Sequence, residues 1–128
     1  GTHNFTASSG DTFKIALYTS SASLGAGTTA FSDTNEISNT SGSAYSSGGA
    51  TLTSVTPTTS GTTALCDFAD VSFTSASFTA NGALIYNSSQ SNKAVAVIAF
   101  GGDKTVSSGT FTIQFPTADA SNAIIRIA

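Results

Sequence analysis

The chain has 128 residues, enough for one ordinary domain, and carries four Lys and Arg against seven Asp and Glu, a net charge of −3. Its cations, Lys14, Lys93, Lys104 and Arg126, are scattered, which excludes the clustered basic surface that nucleic acid or an anionic membrane requires. Charged residues make up 9% of the chain and Ser plus Thr about a third, so solubility rests on hydroxyls and backbone.

The first element is predicted at residues 12–19. In TFKIALYT, Phe13, Ile15 and Leu17 alternate with Lys14, Ala16 and Tyr18, the period of two that marks a strand. Residues 21–49 follow as a long segment of Ser, Thr, Gly and Asn with only scattered apolar side chains: Leu24, Phe31, Ile37 and Tyr45. A loop of this length in a compact domain is either functional or a tolerated surface excursion pinned by Phe31 and Tyr45. On the functional reading Asn35 and Glu36 supply hydrogen-bonding groups and Ile37 and Tyr45 supply apolar anchors for a partner. Asp33, Asn35 and Glu36 also put three oxygen-bearing side chains within DTNE. They lack the alternating ligands, central Gly and distal Glu of a calcium loop, so no metal is expected there.

Strands are predicted next at 49–55 and 62–68, with Gly61 in the turn between TLTSVTPT and TALCDFA. Cys66 is the only cysteine, which excludes an intrachain disulfide and fits a small buried hydrophobe better than a nucleophile. At Ala69-Asp70 the apolar parity slips from even to odd positions, the mark of a bulge or strand break. Asp67 and Asp70 fall on opposite faces of a regular strand and are expected to be solvated carboxylates.

Asn81-Gly82 is expected to turn a hairpin between strands at 76–80 and 83–87. NSSQSN is expected to turn a second one between ALIYN and a strand at 93–100, which Gly101-Gly102-Asp103 ends. ALIYN and KAVAVIAF are apolar on both faces, so each is central in a sandwich or covered by a neighbouring subunit. Val95 and Val97 thereby join the expected partner contacts. Strands at 109–115 and 122–128 complete the chain. No helical period is present. About eight short strands with frequent turns make a single all-β domain over 1–128, an antiparallel β-sandwich or flattened barrel, with a long loop at 21–49.

Chemistry is sparse. The single imidazole is His3, GxSxG is absent, and no phosphate-cradling Gly loop opens a helix, so no catalytic residue, metal or cofactor is expected and the chain is read as no enzyme. Tyr18, Tyr45 and Tyr86 leave a glycan-binding sandwich as an alternative.

Several segments together resemble a family of small virion structural proteins of tailed bacteriophages: GTHNFT, DTFKIALYTSSASL, TAFSDTNEIS, GGATLTSVTPTTSGTTALCDFADVSF, FTANGALIYN and FPTADASNAIIRIA. The resemblance covers nearly the whole chain, departing at SNTSGSAYSSGG, where this sequence carries a few extra residues. Family members begin with a further segment before Gly-Thr-His, which implies that Gly1 is not the gene start. The resemblance implies assembly rather than catalysis: a capsid decoration or cement protein on the outer surface of the virion. Its expected partners are the major capsid protein, another virion protein or further copies in a homo-oligomer. A host-recognition or glycan-binding module of a tail or fibre is the alternative.

Overall fold

A computed structural model describes residues 4–5, 9–25, 27–37, 45, 48–114 and 125–127; at 54–56, 58, 60, 64–66, 108 and 125–127 it describes the backbone. The described chain is all β, with no helix, and is not closed into a barrel. Its strands are β1 (Phe13–Tyr18), β2 (Ala50–Thr51), β3 (Ser54–Ser60), β4 (Thr63–Phe68), β5 (Val71–Asn87), β6 (Lys93–Ile113) and β7 (Ile125–Ile127). They form two antiparallel sheets, one in the order β2-β1-β5-β6 and the other β3-β4-β7.

The alternation read in β1 is used on both sides. Phe13, Ile15 and Leu17 enter the main core, while Ala16 and Tyr18 enter a second cluster on the opposite face of the sheet. Each of the three large side chains is fully buried, worth roughly 1.5–3 kcal/mol apiece. Phe68 at the end of β4 lays the second sheet against the first, its ring 5.6 Å from Phe13 and 6.3 Å from Phe5. The chain breaks between β4 and β5 at residues 69–70, where the parity slip was read, and Ala69 N–H donates to Thr53 C=O.

Two expected turns are not turns. Asn81-Gly82 lies inside β5, a single strand in place of the two expected at 76–80 and 83–87. Neither residue has the left-handed φ a tight hairpin turn needs. The reason is the two-sided apolarity of ALIYN. A strand buried on both faces is best placed at the centre of a sheet, and β5 pairs with β1 along 82–87 and with β6 along its length. Gly82 serves close approach instead, since a Cβ there would meet Ile98 O at 3.0 Å. Gly101-Gly102 likewise does not end a strand. At φ 78° and 155° these glycines make a bulge in β6, where residues 100–103 face Asn81 alone, and Asn81 Nδ2 donates to Asp103 Oδ1 at 3.1 Å. The expected strands 93–100 and 109–115 are therefore, as far as Ile113, parts of one element, and Phe115 lies outside the described residues. The turn at 88–92 is where NSSQSN placed it, with Ser91 and Asn92 at φ 56° and 58°. The expected strand 49–55 is split between sheets, β2 joining the first and β3 the second.

Candidate functional site

The segment from 19 to 37 is an arm of the fold. Leaving β1 at Tyr18, it crosses the outer face of the sheet, where Ala22, Leu24 and Phe31 pack on Ala16, Tyr18, Leu84 and Tyr86. Phe31 stacks on Tyr86 at 4.6 Å. The arm then returns along the edge of β1, with Ile37 N–H donating to Leu17 C=O and Thr19 N–H to Asn35 C=O. The second apolar face of ALIYN is thus covered by the chain itself, where the sequence also allowed a neighbouring subunit.

A buried polar knot holds the arm. Tyr45 is fully buried, its ring 5.4 Å from Phe73 and 6.0 Å from Phe78. Its hydroxyl donates to Glu36 Oε2 and accepts from Leu17 N–H at 3.0 Å. Gly48 N–H donates to the same carboxylate oxygen at 2.8 Å, and Tyr86 donates to Gly48 C=O at 2.6 Å. Burial, reinforced by the Glu36 charge, raises the Tyr45 and Tyr86 hydroxyls above their ordinary range. The same causes push Tyr18 up to about 12, while it donates to Ser32 C=O at 2.7 Å. Phenols held neutral and a carboxylate already bonded twice are suited to fastening, not to moving protons.

The expected contact residues separate accordingly. Glu36 and Tyr45 meet, but inside the molecule, and Ile37 is 6% exposed. Ile37 and Tyr45 are core, so the reading of them as surface anchors is corrected: the knot and the Phe73–Phe78 cluster claim both. Asn35 is exposed in a left-handed turn at φ 63°, its Nδ2 donating to Ser21 C=O. The carboxylate of Glu36 turns to Tyr45 and Gly48, so the oxygens of DTNE do not converge, and no cluster of three His, Cys, Asp or Glu occurs among the described residues. Val95 and Val97 do not share a face. A register shift pairs Ile85 with Ala96 but Tyr86 with Ala94, which sends Val95 to the main core and leaves Val97 with the outer cluster. His3 and the side chain of Cys66 lie outside the described residues.

The arm folds around an open groove of about 590 Å³, lined by Leu24, Thr28 and neighbouring arm residues and reached from the sheet by Tyr18. A second groove shares Leu24, Gly25 and Thr28 and lies against β6 at Val97 and Ala99. Among the described lining residues of the first, Tyr18 alone is titratable, and its hydroxyl is engaged by Ser32.

A surface that the sequence reading missed lies at the far side of the sheet. The arm and β2 flank the edge of β1, while β6 ends the sheet, and among the described residues its outer edge is met near residues 92–94. Beyond the bulge, Val106, Phe111 and Ile113 are half-buried against the core, while Thr105, Thr110 and Thr112 are exposed. The uncharged run GTFTIQF was the available signal; nothing local distinguishes an edge strand from an inner one.

Asp67 departs from its expected role as a solvated carboxylate. It is 4% exposed, its Oδ1 accepting from Phe68 N–H at 2.8 Å, and burial, with the charge of Asp70, raises its pKa from the ordinary 3.8. A folded pKa above the unfolded one means that the fold binds this proton more tightly. Stability from this group is therefore lost as pH rises through the folded value and regained on acidification toward the ordinary value. Asp67→Asn should compare most favourably with the wild type at neutral pH, the advantage shrinking as pH falls. Melting temperatures of both chains from pH 7 to about 4 check this; a difference independent of pH would refute the assignment.

No family model, curated protein or solved structure matches this chain.

Proposed function

We propose that this chain is a structural protein of a phage virion, a capsid decoration or cement protein that binds the major capsid protein, its own copies, or both, on the outer surface of the particle. The observation that carries the reading is the β6 edge, a long strand flank with half-buried apolar side chains and no charge between residues 105 and 113. A flank of this kind invites pairing with another chain. The resemblance of six segments to small virion proteins supplies the setting. Catalysis has no part in this reading, because the groups best able to do chemistry, Glu36 and Tyr45, are spent on fastening the arm.

The hydroxyl-lined groove beside Tyr18 favours a second reading, a glycan-binding or host-recognition module on a tail or fibre. Its lack of an open aromatic platform ranks it lower: Tyr18 is 2% exposed, and Tyr86 is stacked under Phe31. The copy number in purified particles separates the two. Decoration predicts a number comparable with that of the major capsid protein, and a tail module a number comparable with that of tail proteins. Absence from purified particles would overturn both.

A further inference from the structure

We propose that the seam between the two sheets at Phe13 and Phe68 is a binding site for an extended peptide carrying an aromatic residue, and that the chain fills this site with its own Asn4 and Phe5. The ring of Phe5 lies flat on Phe13, with 4.7 Å between centroids and 2° between planes, and stands tilted against Phe68 at 6.3 Å. Phe13 belongs to β1 in one sheet and Phe68 to β4 in the other, so a single ring touches both. The two wall rings are 5.6 Å from each other. Offset-stacked and tilted ring pairs of this kind favour an aromatic occupant over an aliphatic one. Beside the slot the backbone of Asn4 is held twice. Asp11 N–H donates to Asn4 C=O at 2.8 Å, and Asp11 Oδ2 accepts from Asn4 N–H at 3.0 Å.

The site is built by residues other than its occupant. Asp11 Oδ2 also accepts from Asn87 Nδ2 at 2.8 Å, and Asp11 Oδ1 accepts from Gln90 Nε2 at 3.4 Å. Asn87 is fully buried, and its Oδ1 accepts from Ser89 N–H at 3.0 Å, which fixes the orientation of the amide. Ser88 N–H donates to Thr12 C=O and Thr12 N–H to Ser89 Oγ, each at 2.9 Å, carrying the pairing of β1 with β5 one step past Phe13 and Asn87. The carboxylate and the ring walls are therefore set by β1, β4, the end of β5 and the turn at 88–92. A site formed in advance demands less ordering when its ligand arrives. Its specificity follows from the bonds. The residue before the aromatic supplies an N–H and a C=O, so any residue satisfies those two bonds except proline, which lacks the N–H.

The site stands whether or not the chain assembles on a particle, and it is tested on the isolated chain. Phe5→Ala should shift the folding equilibrium toward the unfolded state by about tenfold or more. A synthetic peptide of residues 2–6, at the roughly millimolar effective concentration of a tethered segment, should then raise the melting temperature of the Phe5→Ala chain by several degrees. The wild type, whose slot is filled, should not respond. The peptide bearing Asn4→Ala should act like the original, and those bearing Phe5→Ala or Asn4→Pro should not act. Asp11→Ala should cost less stability in the Phe5→Ala chain than in the wild type, because its bond to Asn4 no longer counts there. If the Phe5→Ala chain does not fold, Phe5→Leu, which half-fills the slot, takes its place in the Asp11 comparison. Equal losses from Asp11→Ala in both backgrounds would overturn the site. So would a peptide that fails to stabilise the folded Phe5→Ala chain, or one that stabilises it equally well without its ring.

Discussion

Gly49→Ala is expected to remove a large share of the stability of the chain. Gly49 sits at φ 84°, and a Cβ built there would lie 1.8 Å from the backbone oxygen of Ile15 and 2.6 Å from its carbon. The obstacle is the backbone of β1, held by β2 on one side and β5 on the other, with Ile15 paired to both Ala50 and Ile85. No side-chain rotation relieves it, so either β2 leaves the sheet or β1 shifts. A left-handed non-glycine residue costs about 1–3 kcal/mol, and overpacking a tight site about 1–3 more. The total of about 2–6 kcal/mol is a large share of the 5–15 kcal/mol that a domain of ordinary stability has in all. Gly61→Ala is the control. It has a similar φ of 61° but open space around its Cβ, so only the conformational cost of roughly 1–2 kcal/mol applies. Urea unfolding of the two variants should differ by several-fold in lost stability. Equal losses would mean that β1 does not pass against Gly49.

The sequence was informative where one strand's pattern sufficed. Alternation at Phe13, Ile15 and Leu17 marks β1, and the apolarity of both faces of ALIYN marks the strand with neighbours on each side. The slip at Ala69-Asp70 marks the passage between sheets. Local pattern failed where a distant neighbour decides. Asn81-Gly82 has the composition of a hairpin turn, yet β1 and β6 both claim Gly82, and a residue paired on two sides cannot also reverse the chain. The bend falls instead on Gly101-Gly102 in the partner strand.

The arm was illegible for a related reason. Ala22, Leu24, Phe31 and Ile37 follow neither a period of two nor one of 3.6, because the first three pack on the outer cluster while Ile37, returning beside β1, enters the main core. Val95 and Val97 look like one face until the shift after Ile85 separates them. Tyr45 looks like a surface anchor in its Ser-rich setting. Its burial depends on Phe73 and on the backbone of Leu17, each 28 residues away in sequence, as well as on Glu36.

Tyr45→Ala is the second large effect expected, and it decides whether the 21–49 segment is part of the core or a surface loop. The ring fills the space beside Phe73 and Phe78, and truncating an aromatic side chain in such a place costs about 3–5 kcal/mol. Loss of the hydroxyl adds to this, since Leu17 N–H loses its acceptor and Glu36 one of its donors. Tyr45→Phe separates the contributions. It keeps the ring and should cost about 1–3 kcal/mol, the range for a buried partner left unsatisfied. The Phe variant should also flatten the alkaline limb of the stability curve. The folded Tyr45 pKa lies above the ordinary 10.0, so the wild-type fold loses stability from this group as pH rises beyond 10. Glu36→Gln should be milder than either, because one amide oxygen can still accept from Tyr45 and from Gly48. The order of losses, Ala above Phe above Gln, is the signature of a ring and a hydroxyl both buried in the fold. A Tyr45→Ala chain that melts with the wild type but no longer enters particles would instead return Tyr45 to the surface and the arm to a partner.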